Sequence, residues 1–220
     1  MKLEYVSEDE LKLIGTGFEA EVYLMGRGEA EAKVSFKNED KLTTQKAAKK
    51  ADAITKKIAK KLTKFDCDTV HFIAEKGTFL NEAYEVAQTI HLDYSEYMMK
   101  WQYDGTESLE NEAEILLRGS EEDDTDGEMK DSLSVNSAVQ DLFSAKLMPY
   151  MDGMYVYEVL VKEGCRRQGH GYKYMHSIMN SFKEAPLYLQ VGSKNVPACG
   201  LYRKLGFEVA QELCYYTIQA

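Results

Sequence analysis

Between Val161 and Gly171 a strand-forming run stops, a short polar loop follows, and glycines open a helix-forming run. The loop reads Lys162-Glu163-Gly164-Cys165-Arg166-Arg167-Gln168-Gly169-His170-Gly171. Glycine at such a junction lets a ligand approach the backbone closely. The N–H groups of a first helical turn have no partner inside the helix, and the helix dipole favours an anion beside them. Arg166 and Arg167 add positive charge. The loop is therefore suited to a phosphate or pyrophosphate, with a plain structural turn as the alternative. It is not a phosphate-binding loop of the Gly-Lys-Ser/Thr kind, nor a Gly-x-Gly-x-x-Gly dinucleotide fingerprint.

The elements around the loop give it a context. Met175, Ile178, Met179 and Phe182 recur at helical spacing after Gly171. Leu187–Val191 is strand-like between Pro186 and Gly192, Asn195–Leu205 is helical, and Gly206 ends that helix. Phe207–Ala210 and Leu213–Ile218 read as two final strands. Upstream, Lys146–Met148 and Met154–Val161 flank a Met151-Asp152-Gly153 turn and predict a hairpin. The succession strand, helix, strand, helix, strand, strand indicates an α/β (α+β) chain.

The second helix carries its own signature: Asn195-Val196-Pro197-Ala198-Cys199-Gly200-Leu201-Tyr202-Arg203-Lys204-Leu205-Gly206-Phe207. Together with Arg166–Gly171, this segment closely resembles the GNAT superfamily of N-acetyltransferases. The loop matches the family's Arg/Gln-x-x-Gly-x-Gly/Ala pattern. The helix matches Asn-x-x-Ala-x-x-Leu-Tyr-x-Lys-Leu-Gly-Phe at every defined position. Asn195 follows Arg166 by 29 residues, with a helix and a strand between, as the family requires. The clear resemblance spans about Tyr155 to Ile218. It implies a GNAT acyltransferase fold, a mixed and mostly antiparallel central sheet flanked by helices, here with an additional N-terminal hairpin and helix. It also implies acetyl-CoA as cosubstrate, no metal, and a small-molecule or peptide amine acceptor.

The resemblance also assigns roles. Arg166, Arg167, Gln168, Gly169, His170 and Gly171 would cradle the CoA pyrophosphate. Val159, Leu160 and Val161 would pair with the pantetheine arm through their backbone, and Asn195 would bind the cofactor beside it. Tyr202 would be the general acid for the departing thiolate, since a phenol can donate to sulfur. Family members that acetylate protein N-termini often carry a glutamate on the next strand as base. Gln190 stands at that position, and an amide is no useful base. Glu158 is the candidate base here, as other branches place a glutamate there. Cys165 and Cys199 flank the motifs without an evident base partner. Two functions follow: an acyl-CoA-dependent N-acyltransferase, or a GNAT-like module that binds acyl-CoA without turnover.

The first 64 residues have no counterpart in that pattern. Leu11 to Lys37 alternates apolar and polar residues around Gly26-Arg27-Gly28, which predicts a hairpin. Lys41 to Lys64 switches to helical period, with Ala47, Ala51, Ile54, Ile58 and Leu62 on one stripe. Nine lysines share that segment with one acid, Asp52. A solvated helix face and a docking face for an acidic partner are both open readings. Residues 1–64 are thus expected as an accessory part, and 65–220 as the acyltransferase domain. Within the latter, Thr69–Ala74 predicts a strand, Leu80–Trp101 a helix, Glu112–Arg118 a strand and Ser137–Phe143 a short helix.

Charge separates along the chain. The net charge is −10, and Asp104 to Asp131 alone holds twelve acids against two bases. The rest of the chain is neutral, so no broad basic footprint points to nucleic acid. Gly119–Gly127 has no apolar residue and reads as a mobile acidic loop. It is a candidate for attracting a cationic acceptor. The basic N-terminal helix and this acidic stretch would meet either within one chain or across a homodimer. The N-terminus, Met1 to Glu10, lacks an apolar run, no stretch of about 18 apolar residues occurs, and neither a leader nor a membrane span is expected. Cys67, Cys165, Cys199 and Cys214 match no zinc spacing and suggest reduced thiols in the cytoplasm.

Overall fold

The computed structural model describes residues 1–37, 42–105, 113–119, 133–137 and 142–219. Its contacts divide the chain into two compact units, Met1–Glu96 with Gln211–Ala220, and Tyr97–Ala210. Residue 64 lies inside the first unit.

Unit 1 opens with an antiparallel meander: β1 (Lys2–Tyr5), β2 (Glu10–Gly15), β3 (Phe18–Gly26) and β4 (Glu29–Phe36). The predicted hairpin is β3–β4, closed at Arg27-Gly28, where both residues take positive φ. Period-two alternation buries Phe18, Ala20, Val22, Ala30, Ala32, Val34 and Phe36. Helix α1 (Thr44–Leu62) lays its stripe of Ala47, Ala51, Ile54, Ile58 and Leu62 into the same core. Its exposed side carries the lysines. Strand β5 (Thr69–Glu75) then pairs parallel to β4 over five residues, Glu29–Lys33 against Thr69–Ile73. Helix α2 (Phe79–Val86) follows, capped by the Thr78 hydroxyl on Asn81 N–H.

The expected helix over Leu80–Trp101 is corrected here. Only its first turns are helical, and His91–Trp101 is a strand, β6. Asp52 of α1 explains the break. Its carboxylate accepts the Gln88 N–H (2.9 Å), the Thr89 N–H (2.9 Å) and the Thr89 hydroxyl (2.7 Å). The chain is pulled out of helical geometry there, and Ile90 drops into the core. Beyond it, Met99 and Trp101 are buried at strand spacing. Tyr84, Tyr94 and Met98 also fall at helical spacing, a coincidence of two periods.

Unit 2 has β7 (Ile115–Gly119), β8 (Leu133–Ser137), β9 (Phe143–Tyr150) and β10 (Gly153–Val161) as a second antiparallel meander. The short helix expected over Ser137–Phe143 is also corrected. Ser137 closes β8 and Phe143 opens β9, with the Ser137 hydroxyl accepting the Leu142 and Phe143 N–H groups. Residues 138–141 lie outside the described residues, as does most of the acidic loop Gly119–Gly127. After β10 come α3 (His170–Ser181), β11 (Leu187–Gly192) and α4 (Val196–Lys204). Strand β11 runs parallel to β10, and β6 flanks β11. The core joins Met175, Ile178 and Met179 of α3 with Leu187, Leu189 and Val191 of β11. A Cβ on Gly153 would run into the Pro186 carbonyl, and Met154 N–H donates to that same oxygen at 3.0 Å.

The last element is one strand, β12 (Glu208–Gln219), where two were expected. The polar pair Gln211-Glu212 suggested a break. Glu212 instead binds Lys76 at 2.9 Å, and its carbonyl accepts Lys76 N–H, so the strand runs through. β12 pairs antiparallel with β5 in unit 1.

The two halves of the chain share one order of elements. Each has four meandering strands, a helix, a strand parallel to the fourth, a helix and a closing strand. The closing strand of each half pairs in the other half's sheet: β6 beside β11, and β12 beside β5. The N-terminal hairpin and helix are thus the start of a complete repeat.

Candidate functional site

Residues of both motifs line one cavity of unit 2, of about 600 Å³. Its floor is the junction between β10 and α3. A single 3-10 turn, Glu163–Cys165, carries the chain out of β10. Arg167 (φ 64°) and Gly169 (φ 84°) then adopt left-handed backbone, which turns successive N–H groups toward one side. Space around Gly169 is open where a Cβ would stand. At Gly171 the reason for glycine is different. A Cβ there would approach Leu201 at 3.2 Å and Val161 at 3.5 Å, so it permits close packing of α3 on its neighbours.

The N-terminus of α3 has no side-chain cap, whereas Asn195 caps α4 by accepting Ala198 N–H at 3.3 Å. The unpartnered donors of α3 are left for an anion. Arg166, Arg167, His170 and Lys204 line the cavity, and none of the residues that line it is acidic. Two predicted contacts turn inward instead. Arg166 Nε donates to Val161 O at 3.1 Å, and Gln168 Nε2 donates to Gly164 O at 3.2 Å. Both brace the loop. Gln168 does not line the cavity, while Arg166, Arg167, Gly169, His170 and Gly171 do.

Val159, Leu160 and Val161 form the next wall. They are available because β10 and β11 pair only over Met154–Val156 against Leu187–Leu189. On its other edge β10 stays paired to β9 at Leu160 and Val161. A bulge between Tyr157 and Leu160 separates the two regimes, with Glu158 at φ 50°. The backbone of 159–161 therefore keeps a free edge facing a widening gap, as an added strand-like ligand needs.

Tyr202 closes the cavity from α4. Its ring is 7 % exposed. Burial, with smaller contributions from Cys199 and Tyr155 nearby, pushes the phenol up to about 12. It is protonated at any physiological pH. Asn195 lines the same cavity, and its Nδ2 adds two donors beyond the cap. Glu158 does not line it. Its carboxylate meets Lys146 at 3.2 Å, on the exposed bulge. Cys199 is buried with its thiol toward Gly192 O, and Cys165 lines the cavity. Lys204 was outside the sequence-level assignment. It covers the Tyr172 ring at 4.7 Å and adds charge to the mouth. Its place within the Tyr-x-Lys-Leu-Gly-Phe run was the available signal.

Residues 144–207 match the family model of the acetyltransferase (GNAT) family. The solved structures agree on the fold. A GCN5-related N-acetyltransferase from Sphaerobacter thermophilus superposes with a TM-score of 0.73 at 10 % identity, over 98 % of this chain and 82 % of that one. One from Kribbella flavida gives 0.56 at 12 % identity, over 95 % and 89 %. A tandem GNAT protein from the clavulanic acid biosynthesis pathway gives 0.58 at 9 % identity, over 96 % and 82 %. The fold is GNAT. No curated protein matches the chain by sequence. Among the described residues, no helix is long and apolar enough to cross a membrane, and no cluster of three or more His, Cys, Asp or Glu side chains is placed to hold a metal.

Proposed function

We propose that this GNAT chain is an acyl-CoA-dependent N-acyltransferase that moves acetyl from acetyl-CoA to a primary amine in a ternary complex. The observation that carries the reading is the single cavity. It joins an uncapped, cation-lined helix start to the free edge of β10 and ends on the buried phenol of Tyr202. Arg167, Gly169, His170 and Gly171 would hold the pyrophosphate through backbone N–H groups and charge. Val159–Val161 would hold the pantetheine arm, and Asn195 would bind beside it. The amine nitrogen attacks the thioester carbonyl, the C–S bond breaks, and the thiol and an amide are released. One proton leaves the nitrogen and one is returned to sulfur.

Tyr202 is the residue assigned to the departing sulfur. A thiol ionises near about 8.5, so a phenol at about 12 is the weaker acid. Complete proton transfer from it would cost about 4–5 kcal/mol. Tyr202 therefore acts as a hydrogen-bond donor to the developing thiolate rather than a full proton source. Glu158 is the assigned base, acting through water from the bulge.

One observation favours a second reading. Among the described residues no carboxylate lines the cavity, and Glu158 is tied to Lys146. A GNAT-like module that holds acyl-CoA without turnover would look the same. We place the site wholly in unit 2 and read unit 1, including residues 1–64, as a GNAT-like half without transfer chemistry. The tandem neighbour supports reading the two halves as a repeat of one fold. The cytoplasm is retained as the compartment, in keeping with four free thiols.

A thiol-release assay with acetyl-CoA and a panel of primary amines separates the readings. The transferase reading expects amine-dependent release, and Tyr202→Phe should lower kcat by roughly 10²-fold with CoA affinity held within about twofold. Tight CoA binding without release for any amine would establish the module. Wild-type kcat in Tyr202→Phe would remove the phenol from the mechanism.

A further inference from the structure

One face of unit 2 is paved with tyrosine. On β10, Tyr155 and Tyr157 stand two residues apart on the same side, their rings 6.0 Å apart and within 16° of parallel. Tyr150 of β9 lies 5.5 Å from Tyr155 and 5.3 Å from Tyr188. Tyr188 is opposite Tyr155 in the β10–β11 pair, so both point to one face. The four rings form a continuous surface. Tyr202 lines the cavity whose wall is Val159–Val161, the continuation of the strand that carries Tyr155 and Tyr157.

The position of this surface matters. Pairing of β10 with β11 ends at Val156 and Leu189, one residue beyond Tyr155 and Tyr188. The rings therefore begin where the strands part, and Tyr157 stands at the opening. An acceptor must reach the thioester carbonyl at that point. Tyr150, Tyr155 and Tyr157 are half-buried, so part of each side chain remains exposed. The apolar core of this unit uses Met175, Ile178 and Leu189 instead, and packing alone does not call for a row of polar-tipped rings.

Two of the acids described on this face have partners. Glu158 is paired with Lys146 at 3.2 Å. The Tyr188 hydroxyl donates to Asp152 at 2.6 Å, and the Lys100 ammonium sits 5.3 Å from the centre of the Tyr188 ring. A polycationic acceptor needs surplus carboxylates, whereas these two acids already have partners. What the face offers is aromatic surface.

We infer that the acceptor is a primary amine carrying an aromatic ring. The ring rests on Tyr155 and Tyr157 while the amine nitrogen reaches the thioester beside Tyr202. The inference rests on the transferase reading and specifies its substrate. The chemistry is unchanged: an N–C bond forms, the C–S bond breaks, and the sulfur departs as free thiol.

The test uses the full chain, acetyl-CoA, and three amines: 2-phenylethylamine, 2-cyclohexylethylamine and spermidine. The first two match in shape and differ in aromaticity. The expected kcat/KM for 2-phenylethylamine is roughly fivefold or more above that for either of the others. Tyr157→Leu should erase the preference and Tyr157→Phe should keep it. The KM for acetyl-CoA should stay within about twofold in both variants, since Tyr157 does not line the CoA cavity. That KM also reports that the variants are folded. Thiol release without a preference for the ring, a preference for spermidine, or a preference that survives Tyr157→Leu overturns the inference alone. Absence of release with every amine, with CoA binding intact, overturns the transferase reading and this inference with it.

Discussion

At the scale of single residues, the structure changes what Tyr202 is asked to do. The motif marks it as an acid. Burial makes it a poor one, with a phenol raised to about 12. The sign of that shift sets the pH profile. A group whose pKa is raised keeps its proton at every pH below the raised value, so Tyr202 stays protonated through the whole working range. Activity should rise with pH as the acceptor amine loses its proton and show no falling limb from Tyr202 below about pH 11. The profile of Tyr202→Phe should have the same shape at lower height. A falling limb between about pH 8 and 10 that disappears in Tyr202→Phe would mean that the phenol ionises there and that burial does not control it. Glu158 shows the reverse case, a residue legible by type and not by environment. Its sequence position suggests a base on a strand. Its left-handed backbone and its pairing with Lys146 come from the bulge, which no local pattern announces.

At the scale of elements, what was legible followed periodicity, and what was not followed long-range contacts. The β3–β4 hairpin, α1, α3, β11 and α4 all stood out, because turn glycines and clean apolar stripes are local signals. Strand β6 did not. Its residues also fit a helical stripe, and the event that decides between them is a carboxylate 36 residues away. Asp52 appeared as the lone acid among lysines. In the fold it terminates the α2 segment by accepting three hydrogen bonds from Gln88 and Thr89. Asp52→Ala leaves those donors without their partner and should cost about 1–3 kcal/mol. For a chain of this length that is a fall in Tm of roughly 2–12 °C by calorimetry. Asp52→Asn should recover part of the loss, because the amide oxygen still accepts. An unchanged Tm in Asp52→Ala would show that β6 is set by its own residues and not by this anchor. β12 was split in the sequence reading for a similar reason: Lys76, which binds Glu212 in the middle of the strand, is 136 residues away.

At the scale of the whole molecule, the order of elements repeats while the motifs do not. Residues 1–64 hold no counterpart of the motifs, and on sequence they read as an accessory part. Topology is the property that survives when motifs are lost, since it depends on where apolar stripes fall and not on which residues line a site. The junction equivalent to Val161–Gly171 is the stretch from β4 to α1. It reads Lys37-Asn38-Glu39-Asp40-Lys41-Leu42-Thr43 and contains no glycine. The parallel pair is also more closed in unit 1, with five residues of β4 against β5 where β10 and β11 share three. A site of this kind needs both a glycine-spaced helix start and strands that part. Unit 1 lacks the first and narrows the second. One CoA should therefore bind per chain. Isothermal titration of the full chain with CoA should give a stoichiometry of about one, and Gly169→Asp should abolish the whole of it. The new carboxylate would place bulk and negative charge where the pyrophosphate lies, against a left-handed backbone at φ 84° that suits glycine. The thermal transition of the variant, measured without ligand, reports whether it is folded. A stoichiometry near two in the wild type, or half the binding surviving in folded Gly169→Asp, would place a second site in unit 1 and end the view that only one half of the repeat kept its chemistry.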